Sequence, residues 1–142
     1  MIGHSDISDC ANCLCLASRR AALTITRTFE RKLRPHGIRI TQFTILTNLI
    51  LRGAMTVGAL AAALGVERTT LTRNLALIEG EGWVRIKPGK DARSRIVAAT
   101  PSGVRKVESA HPAWRDAQDA VAGMIGSAGA LSLRRLSSHI AN

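Results

Sequence analysis

The fold is decided by the stretch TVGALAAALGVERTTLTRNLALIEGEGWVRIKPGKDARSR, residues 56–95. Thr56 can cap a helix at its start, because its hydroxyl accepts a hydrogen bond from an otherwise unpaired backbone N–H. Gly65 can end that helix, since glycine adopts the left-handed conformation at little cost. Between them, apolar residues recur at spacings of three and four, which predicts an amphipathic helix. This stripe consists of Val57, Leu60, Ala61 and Leu64.

A second helix is predicted after Val66, and its two faces differ. Leu71, Leu75 and Ile78 form an apolar side. With about 100° between successive residues, the opposite side is small, polar and cationic. It comprises Thr69, Thr72, Arg73 and Ala76, flanked by Arg68, Thr70 and Asn74. Such a face fits a major groove, where arginine pairs with guanine and threonine contacts bases.

Two helices joined at a short glycine-containing turn predict a helix-turn-helix with the second helix as the reader. The alternative is an ordinary helical hairpin, in which the segment RTTLTRN, residues 68–74, is a solvated face.

Two short strands are predicted after the reader helix. Gly80 and Gly82 break that helix, and the β-prone runs WVRI (83–86) and IVA (96–98) follow. The loop between them begins with the turn signal Pro88–Gly89. A hairpin that follows a reader helix in this way is a wing.

The loop of this wing is basic, with Lys90, Arg93 and Arg95. Arginines of a wing can enter a narrow minor groove, where the negative potential is enhanced. Asp91 is the only acid of the loop. Because the phosphates would repel a carboxylate that faces DNA, we expect Asp91 to orient Arg93 instead.

Together these segments resemble the winged helix of the MarR family of bacterial transcription regulators. The family features are an L-A-x-x-L helix, a reader helix with a T-R pair, an L-E-x-x-G-[LW]-[VI] segment (I-E-G-E-G-W-V here), a D-x-R wing tip and a final L-T-x-x-G (A-T-P-S-G here). Arg73 matches the reader-helix arginine, and Asp91 and Arg93 match the wing-tip pair. The resemblance covers nearly the whole chain and implies a DNA-binding regulator.

Length and charge agree with this expectation. The chain has 142 residues, enough for one domain, and its net charge of +10 points to a polyanion, either nucleic acid or an anionic membrane. Aromatic residues make up only 3%, which disfavours single-strand binding on aromatic platforms. No apolar run approaches the roughly 18 residues of a membrane span, and the N-terminus does not read as a signal peptide. We therefore expect a cytoplasmic protein with reduced cysteines and no membrane partner.

Two helices are predicted before the helix-turn-helix. The first should begin near Ser8 or Asp9, end at Pro35 and Gly37, and carry the stripe Leu14, Ala17, Ala21, Ile25, Phe29 and Leu33. The second should be capped by Thr41 and closed by Gly53, with the stripe Phe43, Leu46, Leu49 and Ile50.

The C-terminal part should also be helical. Thr100 and Pro101 open a helix as its cap and first residue, which should extend to about residue 125. Pro112 should interrupt it by a kink or local unwinding, and Gly126 should end it. A last helix would follow, capped by Ser127 and containing Leu131, Leu133, Leu136 and Ile140.

The predicted fold is mainly α with a small β wing, in a single domain over residues 1–142. Residues 37–100 would form the winged helix-turn-helix, and residues 1–36 and 101–142 the dimerisation helices, because their apolar surface exceeds what a lone winged helix can cover. The MarR resemblance implies that these helices interlock as a homodimer. Reader helices about 34 Å apart would then prefer a pseudo-palindromic operator. The alternative is a monomer with a helical cap.

The signal that controls such a regulator has three candidate receptors. The first is Cys10, Cys13 and Cys15, because Leu14-Cys15-Leu16-Ala17 resembles the L-C-F-A segment of the organic-hydroperoxide sensors of the MarR family. A thiol at a helix N-terminus is more reactive, and its oxidation could move the reader helices. The sequence has no tyrosine to orient the thiol and no cysteine after Cys15, so Cys10 or Cys13 would have to resolve the sulfenic acid.

The second candidate is a soft metal ion, bound by the three thiolates with His4 as a further ligand. A second C-x-x-C or a pair of spaced histidines, the mark of a strong zinc site, is absent from the sequence, and we predict no metal and no cofactor. The third candidate is a small aromatic ligand, as in many MarR-family members, with the cysteines as mere packing residues. Its pocket would be lined by His36, Phe43, Leu46, His111 and Trp114.

Catalysis is not expected, because the sequence contains no catalytic triad, phosphate loop or H-E-x-x-H helix. The competing non-enzyme class is an architectural protein that binds DNA of any sequence. The positive net charge is compatible with such a protein. The threonine and arginine face of the reader helix argues against it, since phosphate contacts need no such face.

Overall fold

The computed structural model describes residues 3–140, without the side chains of residues 4–6 and 140. The chain forms, in order, a 3₁₀ segment (His4–Asn12), α1 (Leu14–Leu33), a 3₁₀ turn (Arg34–His36), α2 (Ile40–Arg52), β1 (Met55–Thr56), α3 (Val57–Leu64), α4 (Arg68–Gly80), β2 (Val84–Pro88), β3 (Arg95–Ala99) and α5 (Pro101–Ile140). The predicted class, mainly α with a small β wing, is confirmed. Across these described residues, no helix has the length and apolar character needed to cross a bilayer.

The helices α3 and α4 form the predicted helix-turn-helix. Thr56 Oγ1 accepts a hydrogen bond from the Ala59 N–H at 3.1 Å, so the predicted cap of α3 is confirmed. Gly65 ends α3 with a φ of 65°, a conformation that favours glycine. The apolar side of α4 is fully buried, with Leu71, Leu75 and Ile78.

The wing strands belong to a three-stranded antiparallel sheet in the order β1-β3-β2. β2 and β3 pair along their whole length, which confirms the predicted hairpin. The third strand, β1, pairs with β3 at Val97 and Ile96 and was not predicted. A two-residue strand has no alternation of its own to detect, and it exists because β3 offers it a second edge.

The start of α1 differs from the prediction. A 3₁₀ segment occupies residues 4–12, and α1 begins only at Leu14, after the extended Cys13 (φ −61°, ψ 117°). The preceding HSDISD segment is rich in Ser and Asp, which disfavour a helix interior. Of the predicted stripe, Phe29 and Leu33 are buried, whereas Leu14 is 85% exposed.

The start of α2 is also corrected. Its N-cap is Arg39, whose N–H donates to Gln42 Oε1 at 2.9 Å. Thr41 lies inside the first turn, so its predicted capping role is wrong; a glutamine three residues after the cap supplies the acceptor instead. Gly53 ends the helix as predicted, with a φ of 84°. The buried residues of α2 are Phe43, Ile45, Leu46 and Leu49, whereas Ile50 is exposed.

The helix α5 begins as predicted, because Thr100 Oγ1 accepts the Gly103 N–H at 3.1 Å. The predicted unwinding at Pro112 is wrong, since the non-helical backbone angles of α5 fall at Gly126 (φ 71°, ψ 170°). Pro112 and Glu108, whose carbonyl loses its helical donor, are both exposed, so water can replace the missing N–H. Gly126 divides α5 into an inner part, residues 101–125, and an outer part, residues 127–140.

Two clusters of buried residues hold the elements together. The larger one joins the end of α1 to α2, α3, α4, the sheet and the inner part of α5, with Leu33, Leu46, Leu60, Leu75, Val97 and Ala110 among its members. The smaller one lies between α1 and the inner part of α5, around Phe29, Ala117 and Val121. The inner part of α5 therefore packs in both clusters.

Candidate nucleic-acid interface

The helix α4 presents its polar side outward. The predicted reader residues Arg68, Thr69, Thr70, Thr72 and Arg73 are exposed, and Asn74 is half-buried. They are exposed because the other side of α4 is anchored by three leucine and isoleucine side chains in the larger core. The exposed side therefore offers hydroxyl and guanidinium groups to a partner.

Two of these side chains are oriented by their own helix. Thr72 Oγ1 donates to the Arg68 carbonyl at 2.8 Å, and Asn74 Nδ2 donates to the Thr70 carbonyl at 3.1 Å. The Thr72 hydroxyl keeps its acceptor lone pairs, and Asn74 keeps its Oδ1 and one N–H. Both groups are thus held in place and can still bond to a base edge.

A groove of about 680 Å³ runs between α4 and the wing. Arg68 and Thr72 line it from the helix, and Asp91, Arg93 and Arg95 line it from the wing. The other predicted contacts do not line this groove: Thr69, Thr70, Arg73, Asn74 and Lys90. The ten predicted DNA-contacting residues therefore divide into a set between reader and wing and a set on the outer side of α4 and at the wing tip.

Glu79 also lines this groove and was missed by the sequence analysis. It stands seven residues after Thr72, two turns along the same side of α4. The spacing of seven residues between Thr72 and Glu79 could be read from the sequence. The sequence could not show which side of α4 faces the wing, because the packing of the sheet determines this.

The wing tip is held by Asp91. Its Oδ1 accepts the N–H groups of Arg93 at 3.0 Å and of Ser94 at 2.8 Å. Directly after β2, the Gly89 N–H donates to the Ser94 carbonyl at 2.7 Å, and a Cβ at Gly89 would lie 2.9 Å from Ser94 Cβ. Asp91 thus acts on the main chain that carries Arg93, while the Arg93 side chain stays exposed.

The three cysteines are exposed free thiols. Cys15 is the second residue of α1, and the Cys13 N–H donates to the Cys10 carbonyl at 3.2 Å. Within residues 3–140 no group of His, Cys, Asp and Glu side chains is arranged to hold a metal ion. The side chain of His4, the further metal ligand considered above, lies outside the described residues.

The five residues predicted to line a ligand pocket differ in burial, and they do not share one environment. Trp114 stacks on Phe43, with ring centroids 6.0 Å apart, and on His111, at 5.8 Å. Leu46 is fully buried in the same core, and His36 is exposed in the 3₁₀ turn. Phe43 and Trp114 already stack on each other, and Leu46 is buried in the same cluster, so a ligand among them requires this packing to open.

Comparison with known proteins identifies what this arrangement is similar to. A MarR family model matches residues 36–94. The uncharacterized HTH-type transcriptional regulator YwoH of Bacillus subtilis is 32% identical over 89 residues, which are 63% of this chain. The match spans 65% of that relative, which is less than two thirds of its length.

Two solved structures extend the likeness to nearly the whole chain. The transcriptional regulator MosR of M. tuberculosis, in complex with DNA, has a TM-score of 0.80 and 38% identity, covering 91% of this chain and 93% of that one. MarR of E. coli, complexed with operator DNA, has a TM-score of 0.81 and 23% identity, covering 95% and 98%. The second likeness concerns the fold alone.

Proposed function

The chain belongs to the MarR family of transcriptional regulators, and from this premise we propose that it binds double-stranded DNA in a sequence-specific manner and regulates transcription. The main support is the shared groove, in which Arg68 of the reader helix faces the same space as Arg93 and Arg95 of the wing. The solved complex of MosR with DNA, at 38% identity, supports the same assignment.

We assign the base contacts to α4 and the minor-groove contact to the wing. Arg73, which stands exposed outside the groove, pairs with a guanine edge, assisted by Thr69, Thr70 and Thr72. Arg93 enters the minor groove from a wing tip that Asp91 has already ordered. Arg68, Asn74, Lys90 and Arg95 complete the contact surface with bases or phosphates.

We propose that the active species is a homodimer on a pseudo-palindromic operator. Of the large apolar side chains exposed in the described residues, four lie within residues 37–100 and eight in the segments on either side of it. These include Leu14, Leu16 and Leu23 in α1 and Leu131, Leu133 and Leu136 in the outer part of α5. A second copy that covers them would place two reader helices on one face of the duplex.

The proposed action is repression in the cytoplasm, ended by a signal that releases the protein from its operator. We assign no catalytic activity, in keeping with a family of transcriptional regulators.

Specific regulation and architectural binding are separated by a salt series. The wild-type protein selects a duplex from a random-sequence library, and its affinity for that duplex and for a scrambled one is measured by fluorescence anisotropy from 50 to 300 mM salt. A specific regulator prefers the selected duplex by about 10³-fold or more. Equal affinities with a steep salt dependence would identify an architectural binder and refute the proposal.

For the signal, we propose oxidation of the exposed N-terminal thiols. An organic hydroperoxide would oxidise a cysteine thiolate to the sulfenic acid and would itself be reduced to the alcohol; a second thiol would then form a disulfide and release water. Cys15 is the first candidate because it is an exposed thiol in the first turn of α1, the segment that resembles the hydroperoxide sensors. Cys10 and Cys13 are accessible as resolving thiols.

The thiol proposal is tested on the selected duplex with reduced protein, then with cumene hydroperoxide, then with dithiothreitol. We expect release that dithiothreitol reverses, and no release in Cys15→Ser, with Cys10→Ser and Cys13→Ser locating the resolving thiol. If wild-type protein stays bound after oxidation, the thiols are not the sensor. Salicylate would then be titrated in the same assay as an aromatic-acid probe of the alternative site, proposed at His36, Phe43, Leu46, His111 and Trp114.

A further inference from the structure

The end of α4 and the start of α5 are fastened together at one junction, the α4–α5 clasp, formed by Gly82, Trp83, Thr100, Gly103 and Lys106. The Thr100 hydroxyl donates to the Gly82 carbonyl at 2.6 Å, and the Thr100 N–H donates to the Trp83 carbonyl at 3.0 Å. The same hydroxyl accepts the Gly103 N–H at 3.1 Å. One side chain therefore caps α5 and ties that cap to the segment that leaves the reader helix.

Gly103 is buried at the closest approach of the two segments. A Cβ at this position would collide with the Trp83 carbonyl oxygen and lie 3.0 Å from the Trp83 carbonyl carbon and 3.2 Å from Leu46 Cδ2. The first obstacle is backbone, which cannot rotate out of the way as a side chain can. Any larger residue at 103 therefore has to push α5 away from the end of α4.

Lys106 extends the clasp by one turn of α5. Its Nζ lies 5.2 Å from the centroid of the Trp83 ring, within the range of a cation–π contact. The Trp83 ring is itself buried in the larger core. The first two turns of α5 are thus held against the residues that directly follow the reader helix.

The far end of the inner part of α5 packs elsewhere, through Ala117 and Val121 against Phe29 of α1. At 1.5 Å per residue this part is about 37 Å long, so a tilt of about 5° at the clasp moves its far end by about 3 Å. That displacement is close to the rise of about 3.4 Å per base pair along DNA. In a dimer joined through the terminal helices, such a tilt would change the distance between the two reader helices.

We infer that the α4–α5 clasp sets the half-site spacing that the dimer accepts, with Gly103 and Thr100 as positioning residues. The inference rests on the proposed function, because only a dimer on paired half-sites has a spacing to set. Neither residue belongs to the proposed DNA contacts. Each acts by fixing the direction of α5 relative to α4.

The test uses duplexes built from the library-selected sequence, with the two half-sites moved apart or together by one and two base pairs, and a duplex with a single half-site. Full-length wild type and Gly103→Ala are titrated on all of them, and their thermal unfolding is measured. Gly80→Ala is the matched control, since a methyl at the end of α4 meets open space. We expect wild type and Gly80→Ala to prefer one spacing by about tenfold or more, since one base pair also rotates the half-site by about 34°.

For Gly103→Ala we expect that preference to shift or flatten, while affinity for the single half-site stays within about twofold of wild type. Thr100→Val should change the spacing preference in the same direction, whereas Thr100→Ser, which keeps the hydroxyl, should retain the wild-type preference. These two variants keep the test decisive if Gly103→Ala does not fold. A loss that is equal at every spacing, or a retained spacing preference, would refute the inference and leave the proposed function intact. If wild type itself shows no sequence preference, the proposed function fails first, and the inference with it.

Discussion

The winged helix and the outer part of α5 use the same kind of apolar stripe with different results. In α4 the stripe residues Leu71, Leu75 and Ile78 are at most 1% exposed, whereas in the outer part of α5 Leu131, Leu133 and Leu136 are between 43% and 55% exposed. Leu133 and Leu136 lie three residues apart, the same helical spacing as Leu75 and Ile78, whereas Leu131 lies on another side of the helix. The difference teaches that a stripe identifies a packing face without saying whether its partner belongs to the same chain.

The largest expected effect concerns the buried apolar side chains of α4. Leu75→Ala removes a side chain from the larger core and should lower the free energy of unfolding by about 2–5 kcal/mol, because the cavity is only partly filled by relaxation. Leu77→Ala, on the same helix at a side chain that is 61% exposed, should change it by no more than about 0.5 kcal/mol. Urea unfolding monitored by circular dichroism gives both values, and equal losses would contradict the contrast.

The next effect concerns the exposed leucines in the outer part of α5. Leu136→Lys should weaken the dimer by about 1.5–3 kcal/mol, the usual value of burying one leucine side chain. The control is Leu51→Lys, at the end of α2, where the side chain is 83% exposed and lies outside the terminal helices. Sedimentation equilibrium measures the dissociation constants. A dimer unaffected by Leu136→Lys would place the interface elsewhere.

A smaller effect compares the two parts of the DNA-binding surface, starting with the reader helix. Arg73→Ala should cost about 1–3 kcal/mol of affinity for the selected duplex and much less for a scrambled one. Arg105→Ala, an exposed arginine near the start of α5, is the matched control and should not discriminate between the duplexes. Anisotropy titrations decide this, and the base-readout role would be lost if Arg73→Ala weakened both duplexes equally.

The smallest effect concerns the wing. Arg93→Ala should weaken binding to both duplexes, with a smaller sequence effect than Arg73→Ala, and should reduce the slope of log affinity against log salt by about 1, because one cation is lost from the DNA contact. Asp91→Ala should act in the same direction, because it frees the N–H groups of Arg93 and Ser94. The measurement is the salt series on each variant. Unchanged affinity and slope in Arg93→Ala would remove the wing from the DNA contact.

The predictions from the sequence succeeded where a residue acts through its own backbone neighbourhood. Thr56 and Thr100 cap the helices expected of them, and Gly65 and Gly126 break the chain where expected. They failed where two local signals competed. Thr41 was displaced as a cap because Gln42 serves the N–H of Arg39.

The errors at Pro112 and β1 have a different cause. The helix continues through Pro112 because its exposed position lets water serve the freed carbonyl, and the residues on both sides of it, Ala110 and Ala113, are buried in the larger core. The strand β1 exists because β3 lies beside it. Neither circumstance can be read from the residues of the segment itself.

The helix-turn-helix, the basic wing and the candidate contact residues could all be predicted from the sequence, because periodicity, caps and charge are properties of neighbours along the chain. It also located the exposed face of α4, from the positions of its leucines. Only the tertiary structure decided which of those residues share the groove with the wing, that Glu79 lies among them, and that Gly103 meets the Trp83 carbonyl. These facts depend on the relative placement of elements far apart in sequence, which is set by the packing of the common core.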